Sequence, residues 1–85
     1  MVLGRDQIME KMAGLKAGQT LKFSIPQTFG GGVAIVQVNP GQGKKYLLWV
    51  GNDEKSAMNS KPYWERDKAK PVAKWVADRC GALIE

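Results

Sequence analysis

The chain has 85 residues, 44% apolar and 25% charged, with 13 Lys and Arg against 8 Asp and Glu for a formal charge of +5. That length predicts one domain over residues 1–85, burying roughly 60–65% of the surface its unfolded form exposes. With no histidine, one cysteine and no apolar run near the ~20 residues that span a bilayer, the sequence argues against histidine chemistry, an internal disulfide and a membrane-crossing helix.

The opening Met1-Val2-Leu3-Gly4-Arg5-Asp6 lacks the basic-then-apolar pattern of a secretory leader, and a cytoplasmic location is the expectation. Basic residues are spread along both halves of the chain rather than gathered in one block. Diffuse charge of this kind serves solubility, and it also attracts polyanions weakly.

Residues 5–17 are predicted as a helix, because Ile8, Met12 and Leu15 recur at helical spacing with Met9 beside them. Gly4 or Asp6 is the expected start cap, and Gly18 the left-handed residue past the end. Gly14 lies inside that pattern, where it costs about 1 kcal/mol against alanine, and it suggests a close approach to another element. Thr20 to Ile25 alternates Leu21, Phe23 and Ile25 with Lys22 and Ser24, the period of a strand with one buried face. Pro26 ends it, and Gln27 to Gly32 is predicted as a flexible hairpin tip. Val33 to Val38 is a β-branched second strand, Asn39-Pro40-Gly41-Gln42-Gly43 a turn, and Lys45 to Val50 a third strand. Short connections on both sides of the second strand imply an antiparallel meander.

The second and third strands are apolar on both faces, so the face without the long helices must be covered or used. The connection from Gly51 to about Asp67 is the expected cover, and a partner-binding face around Leu47 and Trp49 is the alternative. Within the connection, Asp53 to Met58 has the makings of a helical turn. Tyr63-Trp64 is either a lid over a core edge or a stacking platform. Residues 67–83 are predicted as the last helix, with Val72, Trp75, Val76, Cys80 and Leu83 on one stripe and Pro71 in the first turn.

The fold expected from this order is α+β, α-β-β-β-α, with a three-stranded antiparallel meander sheet in order 1-2-3 and two helices packed on one face. Cys80 falls on the apolar stripe, which predicts a buried thiol rather than a nucleophile. The carboxylates Asp53, Glu54, Glu65 and Asp67 sit in polar surroundings. No catalytic residue, metal ligand or cofactor is therefore expected, and the chain is read as a non-enzyme. The glycines 30–32 lead into a strand rather than a helix, which argues against a phosphate loop.

The basic residues carry the clearest chemistry. Lys70 and Lys74 lie one helical turn apart at the start of the last helix, Lys68 lies just before, and Lys44 and Lys45 sit at the turn into the third strand. A helix N-terminus bearing lysines attracts phosphate through both its dipole and its charge, although Glu65, Asp67 and Asp78 are interleaved.

The run Lys70-Pro71-Val72-Ala73-Lys74, set in this element order, resembles the double-stranded-RNA-binding domain. That family carries Lys-Lys-x-Ala-Lys at the start of its second helix and grips phosphates across the RNA major groove. The match holds at Lys70, Ala73 and Lys74 and fails at Pro71. The family's Gly-Pro-x-His hairpin motif is replaced by residues 26–32, and the connection before the last helix is longer. The HicA-type ribonuclease toxins share the topology, but their catalytic histidine has no counterpart here. The resemblance does not license a function by itself; read from the residues, the first expectation is weak, shape-driven nucleic-acid binding, with Lys44, Lys45, Lys68, Lys70 and Lys74 on phosphate and Tyr63 and Trp64 as candidate stacking groups. The rival expectation is a protein-interaction module using the second sheet face or the aromatic segment 52–67.

Overall fold

The computed structural model describes residues 4–16, 18–39, 45–80 and 83–84. Chain order is α1 (Arg5–Ala13), β1 (Thr20–Ser24), a 3-10 turn (Gln27–Phe29), β2 (Val33–Asn39), β3 (Lys45–Gly51), α2 (Glu54–Met58), β4 (Trp64–Arg66), α3 (Ala69–Arg79) and β5 (Leu83–Ile84). The protein is α+β, and the predicted meander is present. β1 pairs antiparallel with β2, placing Phe23 opposite Ala34, and β2 pairs antiparallel with β3, placing Ile35 opposite Trp49.

The sheet is wider than the three strands expected, with five strands in the order β4-β3-β2-β1-β5. β4 extends one edge by pairing Leu48 with Trp64, and β5 the other by pairing Phe23 with Leu83. Both added strands are too short to show a pattern in sequence, and both gain their hydrogen bonds from an open neighbouring edge.

The principal core lies between the sheet and the pair α1 and α3. Strand alternation sends Phe23, Ala34, Val36 and Leu48 to that side, where they meet Ile8 and Met12 of α1 and Val72 and Val76 of α3. The other face carries a smaller cluster of Ile35, Leu47, Trp49 and Ala57, with Ala57 supplied by α2. The connection therefore covers the second face, as expected. Leu47 and Trp49 are only 9% and 8% exposed beneath it.

α2 has only five residues, too few to persist alone, so its ends and its seat hold it. Asp53 caps the start by accepting from the Ser56 N–H at 2.7 Å, which together with the Ser56 hydroxyl holds its carboxyl below the usual carboxylate range. The Ser60 hydroxyl donates to the Ala57 carbonyl at 2.7 Å. Lys22 of β1 reaches Glu54 at 2.7 Å, an exposed pair worth at most about 1 kcal/mol. Close seating is possible because Gly51 lies directly under Ala57. A side chain there would come within 2.7 Å of the Ala57 nitrogen.

Both long helices are shorter than predicted. α1 stops at Gly14, whose N–H caps back to the Lys11 and Met12 carbonyls. Gly14 is thus a helix end, and the space around it is open to a methyl group, so the predicted close approach is absent. Gly18 does adopt φ +85, but in the turn beyond. At the start, the Gly4 N–H donates to Gln7 Oε1 at 2.8 Å and its carbonyl accepts from Ile8. α3 ends at Arg79, where Cys80 turns extended (φ −97, ψ 154), so Leu83 belongs to β5 and not to the helix. Pro71 sits in the first turn of α3, where its missing N–H costs nothing. The tip after β1 is a built turn, closed by Gly31 N–H donating to the Pro26 carbonyl at 3.0 Å. The predicted turn at 39–43 lies mostly outside the described residues.

Candidate nucleic-acid interface

The surface where α3 meets β4 gathers most of the predicted contact residues. β4 is extended, so Trp64 and Arg66 leave it on one side, toward α3, while Glu65 leaves on the side of α2. Pairing with Leu48 and Tyr46, both packed on the principal core, fixes that choice. The Tyr63 N–H donates to the Leu48 carbonyl at 2.6 Å and holds the chain just before the strand.

Tyr63, Trp64 and Trp75 form one aromatic group. The Tyr63 ring stacks against Trp64 at 6.3 Å with an 18° interplanar angle, and tilts against Trp75 at 5.8 Å. Trp64 and Trp75 meet edge to face at 6.4 Å. Trp75 is a core residue at 8% exposure and Trp64 is half-buried, whereas Tyr63 stands 59% exposed. Two guanidinium groups lie on the rings: Arg66 is 4.3 Å from the Trp64 centroid and Arg79 is 5.1 Å from that of Trp75. Arg66 is also tied down by donating from Nη1 to the Glu65 carbonyl at 2.8 Å.

Two open grooves flank α3. One of about 280 Å³ runs between Trp64, Pro71, Trp75 and Arg79, and one of about 510 Å³ lies between Ala77 and the start of α1 at residues 4–7. Lys74 and Asp78 form the ridge common to both. Lys70 stands one turn before Lys74 on the same outward side, and Lys68 is the N-cap residue of α3. No side chain caps that N-terminus, and its first turn holds no acidic residue. Lysines there face the positive end of the helix dipole, an arrangement that an arriving anion relieves.

The predicted site residues therefore divide. Lys68, Lys70, Lys74, Tyr63 and Trp64 share the α3–β4 surface. Lys45 is exposed, but strand alternation from Tyr46 directs it to the side of α2, away from them. Lys44 lies outside the described residues. Sequence reasoning misses Arg66, Trp75 and Arg79. The available signals are the two-residue spacing of Trp64 and Arg66 in an extended segment and the four-residue spacing of Trp75 and Arg79 on a helix, each of which places cation over ring.

Among the described residues no group of three or more histidine, cysteine or acidic side chains is placed to hold a metal ion. No described helix is long and apolar enough to cross a membrane. Comparison with known protein families, with curated proteins and with solved structures finds no match to this chain.

Proposed function

We propose that the protein is a small, non-enzymatic, cytoplasmic module that binds nucleic acid weakly through the phosphate backbone, using the α3–β4 surface. The observation that carries this reading is the row of basic residues along β4 and the outer side of α3. Arg66 and Arg79 lie on the tryptophan rings, Lys74 lines the groove beside them, and Lys68 and Lys70 stand at the start of the helix, with Asp67 and Asp78 interleaved. The uncapped, lysine-bearing start of α3 adds a favourable dipole for phosphate. The resemblance of Lys70-Pro71-Val72-Ala73-Lys74 to the phosphate-gripping run of double-stranded-RNA-binding domains points the same way. A protein-interaction role, the other reading, now rests on the aromatic segment, because Leu47 and Trp49 lie beneath α2.

Salt separates the two. Affinity for nucleic acid measured by anisotropy should fall linearly in log–log form, with a slope of about −0.7 per phosphate on single strands and −0.9 on duplex DNA. The double replacement Lys70→Ala, Lys74→Ala should weaken binding several-fold and flatten that slope by about 1.4 to 1.8. Both residues are exposed, so the variant should keep its fold. Absence of binding at low salt, or an affinity indifferent to salt, would exclude a phosphate-binding role.

A further inference from the structure

The basic residues account for attraction to phosphate but leave one feature unexplained. Tyr63 is a large ring, 59% exposed, held at a fixed angle against two tryptophans. As a lid it is inefficient, since most of its surface stays in water while Trp64 and Trp75 close the core edge beneath it. Its position instead suits contact with a flat partner. One side of the ring rests on its neighbours, and cationic planes lie over Trp64 and Trp75.

We propose that this surface takes unpaired bases, so that the preferred ligand is single-stranded nucleic acid, with Tyr63 as the ring on which a base stacks. This rests on the nucleic-acid reading above and narrows it. In a duplex the base faces are already stacked on one another, and a protein ring reaches only their edges. A single strand offers every base face, whatever the sequence. Arg66 and Arg79, always charged and planar, contact the backbone and extend the stacking surface. Lys74, on the ridge between the grooves, sits where a backbone leaving the rings along α3 must pass. Pro71 adds apolar surface to the groove beside Trp75.

The test compares three labelled probes of equal length at low salt: a short oligothymidylate, a blunt DNA duplex and a strand of abasic sites. Oligothymidylate should bind about tenfold tighter than the other two, as expected for at least one stacked base. Tyr63→Ala should cost roughly 5- to 100-fold on oligothymidylate and leave the abasic strand unaffected, while Tyr63→Phe, which keeps the ring, retains binding. Near-UV circular dichroism checks that the tryptophan environment survives the change. Equal affinity for all three probes, or no effect of Tyr63→Ala, overturns the single-strand proposal and leaves the phosphate-binding reading intact. Failure to bind any probe overturns both. Polyglutamate binding as tightly as oligothymidylate overturns the proposal in favour of an acidic protein partner.

Discussion

Gly51 shows how one residue controls what the second sheet face can do. It ends β3, and Ala57 of α2 rests directly on it, so a methyl group at position 51 meets the Ala57 nitrogen at 2.7 Å and its Cα at 2.8 Å. Those are backbone atoms, and relief requires α2 to move as a body. Gly51→Ala should therefore destabilise the protein by about 1–3 kcal/mol, as overpacking does. In urea titrations followed by fluorescence, the variant should unfold earlier and its folded emission should shift red as Trp49 gains water. Gly14→Ala is the internal control. Its φ of −86 suits any residue, its surroundings are open, and the change should raise stability by about 0.4–1 kcal/mol through the unfolded chain. Gly32 belongs with Gly51, because it combines φ +95 with a close backbone neighbour, the Gly51 carbonyl at the end of β3.

Among the elements, α3 shows a conflict between stability and the proposed binding. Its start carries Lys68 at the N-cap and Lys70 in the first turn, with no side-chain cap and no acidic residue. Lys68→Asp should add a cap hydrogen bond and a favourable charge at the dipole, raising stability by about 1 kcal/mol. The same change should weaken nucleic-acid binding. Thermal melts and anisotropy on one sample set would check both directions together.

The elements also differ in how well the sequence announces them. Strands β1, β2 and β3 follow directly from the alternation of Leu21 and Phe23 and from the β-branched run at 33–38. The turn of helix at α2 is legible from Asp53 as a cap. The end of α3 is not, because Cys80 and Leu83 continue the helical spacing although the backbone leaves the helix at Cys80. Periodicity cannot report that Leu83 and Ile84 find ladder partners on the open edge of β1. β4 is hidden for the same reason, being three residues whose pairing depends on a strand distant in sequence. Because β4 is hidden, the placing of Arg66 over Trp64 is hidden with it. The lysines and the Tyr63-Trp64 pair are legible because their chemistry stands out by residue type alone.

For the molecule as a whole, the principal core spans both long helices and the sheet, and Cys80 is part of it. Burial pushes its thiol up to about 11 from the ordinary 9.0, with Arg79 opposing weakly. A raised thiol value means the folded state holds its proton more tightly than the unfolded chain. The resulting stability is complete below pH 9 and is lost as pH rises through about 11. Urea midpoints for the natural protein should therefore fall over that interval more steeply than those of Cys80→Ala, which lacks the group. Every other group is common to the two proteins and cancels in the difference. The same burial should leave the thiol slow to react with disulfide reagents at neutral pH.

The outermost strands bear on how the protein behaves in a crowd of its own copies. Val33 to Val38 is uncharged, β-branched and free of proline, the composition of segments that stack into fibrils once a neighbouring backbone is accessible. It runs through the middle of the sheet, with β1 and β3 on either side and the short β4 and β5 beyond them. The sheet is thus bordered by a three-residue strand carrying Glu65 and Arg66 and a two-residue strand that pairs Ile84 with Lys22, both poor templates for another chain. Shedding either border strand would leave the central segments one step closer to solvent, so resistance to aggregation in this protein depends on its two smallest strands.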